Sequence, residues 1–116
     1  MGIVGNLRAA LAVALMAAAC AAGAQITVAQ VAPLSGVLAS TGKQMVLGGQ
    51  IVFKAVNEAG GINGQKIQHL VLDDGYKVDE TVRLTREVLA RPDVVALFGF
   101  AGTANIGKLL ADKVLD

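Results

Sequence analysis

Hydrophobic residues along the chain follow two different patterns in turn. Short apolar runs rich in β-branched residues, as expected of buried strands, occupy residues 26–32, 66–74 and 93–100. Apolar residues at helical spacing predict helices over about 42–59, over 78–91 and from Thr103 onward. The spacing places Val52 on the buried face of the first helix and Leu89 on that of the second. The third run is apolar throughout, which is typical of a strand covered on both faces.

This order of elements predicts the fold class. Three strand–helix units in succession form an α/β structure, a doubly wound parallel sheet with right-handed crossovers and helices on both faces. Ligands of such sheets bind beyond the carboxyl ends of the strands. The loops predicted at that edge are residues 33–42, 74–77 and 100–103.

Residues 1–24 have the pattern of a secretory signal peptide. Arg8 precedes an apolar stretch of eleven residues, Ala9 to Ala19, and Ala22-Gly23-Ala24 supplies small residues for cleavage. A membrane span needs about 20 strongly apolar residues, and this stretch is shorter and mostly alanine. We therefore expect a periplasmic protein that consists of residues 25–116 after export.

Cys20, the only cysteine, raises the alternative of a lipoprotein. Lipid attachment favours a bulky aliphatic residue three positions before the cysteine, where this chain has Ala17. We expect Cys20 to leave with the signal peptide, although lipid anchoring there stays open. The mature chain then has no cysteine, which suits an oxidising compartment.

Charge and aromatic content argue against a nucleic-acid partner. Of the ten Lys and Arg residues only Arg8 precedes residue 25, so nine basic residues face nine acidic ones in the mature chain. The chain has three Phe, one Tyr and no Trp. A nucleic-acid surface needs positive charge to neutralise the phosphates, and base stacking needs aromatic platforms.

Two motifs suggest enzyme chemistry but lack essential parts. The sequence GTANIGK at 102–108 fits a phosphate loop, yet Leu109 occupies the position where a hydroxyl would bind Mg²⁺. Asp73 and Asp74 end the second strand without a further acid, His or Cys at a neighbouring strand end, and His69 lies inside the strand. We expect the aspartates to cap the following loop and helix. The sequence predicts no enzyme activity, cofactor or metal.

The other two loops favour ligand binding. Residues 33–42 and 99–103 are uncharged and rich in glycine and hydroxyl residues, Thr103 among them. Backbone N–H groups at the start of a helix can bind an anion such as a carboxylate. Glycine, serine and threonine are also ordinary turn and cap residues, so this pattern alone leaves both interpretations open.

Several of these segments together resemble a known family. PLSG follows the first strand, NEAGGINGQKI joins the first helix to the second strand, and DD closes that strand. With a third strand ending at Gly99, the chain resembles the start of type I periplasmic binding proteins, and most of all the branch of leucine/isoleucine/valine-binding proteins of ABC transporters.

The resemblance implies two similar lobes that close over a small ligand such as an amino acid, and an ABC-transporter membrane permease as partner. It places ligand contacts on Ala101, Gly102 and Thr103. An aromatic residue that covers the ligand in some members falls on Thr41, so the identity of the ligand stays open. Family members are several times longer, which implies that this chain is the N-terminal part of lobe one.

Two other functions remain as alternatives. A ligand-sensing receptor ectodomain would have the same fold, and a membrane helix encoded downstream would favour it. A nucleotide-dependent enzyme of the doubly wound type is the alternative from another class.

We predict that the exported precursor is cleaved between Ala24 and Gln25, because Ala22 and Ala24 provide the small residues after the apolar stretch. Mass spectrometry of the exported protein checks this prediction. A lipid-modified N-terminus at Cys20 would contradict it.

Overall fold

A computed structural model describes residues 25–116. Strands and helices alternate in it as β1 Ile26–Ala32, α1 Ala39–Glu58, β2 Ile67–Asp73, α2 Val78–Leu89, β3 Val94–Phe98 and α3 Thr103–Ala111. The predicted three βα units are confirmed. The predicted signal peptide, Cys20 included, lies outside the described residues. Within 25–116, no helix combines the length and apolar character that crossing a membrane requires.

The three strands form one parallel sheet in the order β2-β1-β3. β1 is central, and Ala29 and Val31 are fully buried in it. The chain passes from β1 to β2 on one side of β1, and then returns past β1 to β3 on its other side. With the right-handed crossovers that parallel strands adopt, this order places α1 and α2 on opposite faces of the sheet.

Aromatic packing fixes α1 against its face of the sheet. The Phe53 ring of α1 meets the rings of His69 and Phe98 edge-on, with ring centroids 5.0 Å and 5.6 Å apart. His69 Nε2 lies 3.0 Å from Oε1 of the buried Gln30. Burial lowers the pKa of His69 because the charged form loses hydration. His69 is therefore a packing residue of the sheet.

The opposite face carries the second part of the core. Val82 of α2, Leu109 of α3 and Val114 after α3 form one buried cluster, with Phe100 packed against it. Apolar contact between α2 and α3 thus fixes where α3 begins relative to the strand ends.

Two sequence predictions of helix burial were wrong. Val52 is 58% exposed, and the neighbouring Phe53 packs on His69 and Phe98 of the sheet instead. Leu89 is 47% exposed, whereas Leu84 and Val88 of the same helix are buried.

The expected burial of the third strand on both faces was also wrong for the part of the chain that the structure describes. Val95 of β3 is 66% exposed. β3 has only β1 as a neighbour in the sheet of residues 25–116, so one of its edges is open. The apolar run predicted the strand correctly but not its surroundings.

A glycine lets α1 lie close to the loop that follows β1. The helix begins at Ala39 rather than at the predicted Gly42. A Cβ at Gly42 would overlap the backbone carbonyl group of Pro33, which is itself buried. The absence of a side chain therefore lets the first turns of α1 lie directly on the loop that follows β1. Another glycine of the same helix, Gly48, has open space at its Cβ position.

We predict that Gly42→Ala lowers the free energy of unfolding by about 1–3 kcal/mol, because a backbone carbonyl cannot move aside as a side chain can. Gly48→Ala is the matched control. It should raise the free energy of unfolding by about 0.5–1 kcal/mol, because alanine favours the helix. Chemical denaturation of the two variants measures both values, and similar effects at the two positions would contradict the prediction.

Candidate functional site

Three loops meet at the carboxyl edge of the sheet. Because the strands are parallel, residues 33–38, 74–77 and 99–102 all lie beyond the same edge. The loops are in contact with one another. A Cβ on Gly36 would lie 2.9 Å from the carbonyl oxygen of Gly75, so the first two loops touch at glycines.

Asp73 anchors the first loop to the second. Its Oδ1 accepts hydrogen bonds from the N–H groups of Leu34 at 2.8 Å, Ser35 at 3.2 Å and Gly75 at 2.8 Å. Burial acts to raise the pKa of Asp73, but hydrogen bonds from the Ser35 side chain and from these backbone N–H groups lower the pKa below its ordinary value. The predicted capping of the loop is confirmed.

Asp74 lies at the centre of a buried polar network. Its Oδ1 accepts the N–H of Tyr76 at 2.9 Å, and its Oδ2 accepts the Thr81 hydroxyl at 2.6 Å. The Asn105 amide in turn donates to the Thr81 hydroxyl oxygen at 2.7 Å. Asp74 therefore bonds both the loop and α2. The predicted capping of the helix was wrong, because Lys77 occupies the N-cap of α2 and no side chain caps that helix.

The junction between β3 and α3 presents unpaired donors. Gly102 is the N-cap of α3, with φ of 103°, and no side chain caps the helix. Thr103, the first residue of α3, is exposed. The N–H groups of a helix's first turn have no partner within the helix. An exposed hydroxyl and free N–H groups thus lie together at the positive end of α3.

Three of the four predicted ligand contacts lie together at the start of α3. Ala101 and Gly102 are partly buried in the junction, and Thr103 follows them on α3. Thr41, which the sequence places in the first loop, lies in the first turn of α1 with an exposed side chain. The role of these four residues in ligand binding stays a prediction.

The phosphate-loop motif has a different role in the structure. Leu109 is 0% exposed and belongs to the core between α2 and α3. Gly107 has open space around it, and Lys108 pairs with Asp112 at 2.8 Å. Within residues 25–116, no three His, Cys, Asp or Glu side chains lie close enough together to hold a metal ion.

Residues 25–114 match the family described as periplasmic binding protein. The chain belongs to that family.

Curated relatives point to one branch of the periplasmic binding protein family. The chain is 32% identical over 98 residues to a Leu/Ile/Val-binding protein homolog from Brucella suis, an alignment that covers 84% of this chain. It spans only about a fifth to a quarter of the length of the curated relatives it matches, 19% and 24% for the first two.

Solved structures of periplasmic binding proteins share the fold. A substrate-binding periplasmic protein from Ralstonia solanacearum is 40% identical, with a TM-score of 0.76 over 78% of this chain and 26% of its own. The branched-chain amino acid transporter substrate-binding protein of Streptococcus pneumoniae, solved in complex with isoleucine, is 26% identical, with a TM-score of 0.71 and the same coverage.

Sequence reasoning missed Tyr76 at this edge of the binding-protein fold. Its ring lies against Gly102, because a Cβ on Gly102 would be 2.6 Å from Tyr76 Cε2. Tyr76 has a left-handed backbone, with φ of 61°. The only hint in the sequence is an aromatic residue in a short loop at a strand end.

We predict that Asp73→Ala speeds hydrogen exchange at the N–H groups of Leu34, Ser35 and Gly75 by roughly three- to tenfold. One exposed hydrogen bond to a carboxylate contributes about 1 kcal/mol, which corresponds to about fivefold. Exchange measured by NMR checks this, with Asp79→Ala, an exposed acid of α2, as the control.

The same bonds should depend on pH. The pKa of Asp73 is lowered in the folded state, so its stabilisation is complete above the ordinary value of 3.8 and is lost as pH falls through the lower folded value. Protection of the Leu34 amide that survives well below that pH would contradict the prediction.

Proposed function

We propose that this chain supplies the first-lobe part of a periplasmic solute-binding protein that delivers a small ligand to an ABC-transporter membrane permease. The role is binding, without catalysis. Residues 1–24 direct export to the periplasm and are removed. The ligand carries a carboxylate, as amino acids do, and the carboxylate binds Thr103 and the N–H groups of residues 101–103.

The observation that carries the proposal is the uncapped start of α3. Gly102 offers no side chain at the N-cap, and Thr103 is exposed. The location beyond the carboxyl ends of parallel strands is where α/β sheets bind ligands. Membership of the periplasmic binding protein family supports a small-molecule ligand over a nucleotide substrate.

Electrostatics favour an anionic group at this point. The three loops at the strand ends contain no arginine and a single lysine, Lys77, and Lys108 of α3 pairs with Asp112. In the proposal, an anion at Thr103 relies chiefly on backbone N–H groups and on the dipole of α3. The dipole contributes about 0.3–2 kcal/mol, and each hydrogen bond to a charged group about 1.5–3 kcal/mol.

The isoleucine complex of the Streptococcus pneumoniae protein supports an amino-acid ligand, because isoleucine carries a carboxylate. In the proposal, Thr41 offers a second hydroxyl from the first turn of α1. A threonine leaves more room at this position than an aromatic side chain would, so a ligand larger than a branched-chain amino acid fits the proposal equally well.

We predict that Thr103→Ala weakens binding of the carboxylate ligand about ten- to a hundredfold, because one hydrogen bond to a charged group is lost. A thermal-shift screen of the full-length gene product first selects the ligand from the amino acids, with Mg²⁺-ATP and NAD as comparison compounds. Calorimetry on the wild type and the variant then measures the affinity for the acid and for its amide.

Thr103→Ser keeps the hydroxyl and is the matched control, with affinity within about threefold of wild type. An amide that binds as tightly as the acid, or an alanine variant with unchanged affinity, would rule out carboxylate binding at Thr103. Stabilisation by Mg²⁺-ATP or NAD alone would overturn the proposed class of protein.

A further inference from the structure

The backbone of Tyr76 is held in place independently of its side chain. The N–H of Tyr76 donates to Asp74 Oδ1 at 2.9 Å, and Asp74 is buried. Any residue except proline at position 76 could make that bond. A left-handed backbone costs a residue other than glycine about 1 kcal/mol or more, so glycine would be the cheaper choice here. The shape of the loop therefore does not explain a tyrosine.

The Tyr76 ring lies beside the start of α3. It packs on Gly102, whose missing side chain provides the space, and Gly102 directly precedes Thr103. The residue is 36% exposed, so part of the ring is accessible to solvent. An apolar surface thus borders the free N–H groups and the hydroxyl at the junction.

We propose that Tyr76 determines specificity, by forming an apolar wall against the carbon skeleton of a carboxylate ligand bound at Thr103. This inference rests on the proposed function and narrows its substrate class. With the carboxylate at the start of α3, the groups next to it lie on the ring. The wall favours carboxylates that carry an apolar group of several carbon atoms, such as leucine, over those with a small one, such as alanine.

The physical basis is the area that the ring can cover. Leucine has three more carbon atoms than alanine, and apolar atoms that leave water against a ring gain free energy in proportion to the area buried. A fully buried CH₂ group is worth about fourfold in affinity, so partial burial of three carbon atoms against the ring gives a factor of about three to ten. If Tyr76 forms such a wall, substituting it must change the affinities for ligands with different side chains by different factors. A residue that only stabilises the loop would change those affinities by the same factor.

The test uses calorimetry on the full-length gene product, with L-leucine and L-alanine as probes. We expect Tyr76→Ala to weaken leucine binding about three- to tenfold and alanine binding less than about twofold. Tyr76→Phe keeps the ring and should preserve the wild-type ratio of the two affinities.

Other outcomes would overturn the inference. A Tyr76→Ala variant that loses both probes by the same factor would show a structural role only, and one with unchanged affinities would show no role. Wild-type protein that binds neither probe would exclude the substrate class. Thr103→Ala separates the two proposals. If Thr103→Ala weakens binding but Tyr76→Ala leaves the ratio of leucine to alanine affinity unchanged, the proposed function stands and the wall does not.

Discussion

The arrangement of the carboxyl edge depends on the hydrogen bonds of Asp74. A buried carboxyl group without partners is costly, because it loses water and gains nothing in return. Here it is bonded by the loop after β2 and by Thr81 of α2, and Asn105 of α3 extends the network. One polar group therefore ties a strand end to both helices on one face of the sheet.

Close approach of backbones completes this arrangement. Gly36 meets Gly75, and Gly102 meets the ring of Tyr76. Asp73 adds bonds from its own loop to the loop after β1. As a result the three loops form one connected surface, in which the position of each loop is fixed by its neighbours. For the proposed ligand, donors held in this way would need little ordering on binding.

The sequence was sufficient to predict the elements but not what surrounds them. β1 ends where predicted, because a β-branched run is followed by Pro33, which cannot donate to a sheet. The exposure of Val95 does not follow from the apolar run itself, because such a run does not reveal how many neighbours its strand has.

The candidate site was predictable to the same degree. The start of α3 at Thr103 could be predicted, because a helical pattern there directly follows an apolar strand, and ligands of such sheets bind beyond the strand ends. The ligand contacts at Gly102 and Thr103 were implied by the family resemblance and stay a prediction. The capping of the loop by Asp73 is a local contact and could also be foreseen. Tyr76 could not, since its contact with Gly102 joins two loops that are distant in the sequence.

Gly102 also limits how the surface beyond the strand ends can change in evolution. A side chain there would collide with Asn105 and with the ring of Tyr76, and the backbone angle of 103° is itself unfavourable for other residues. Substitution of Gly102 alone is therefore unfavourable. Position 102 is restricted to glycine unless Asn105 and Tyr76 change with it, whereas exposed neighbours such as Thr103 can vary without that restriction.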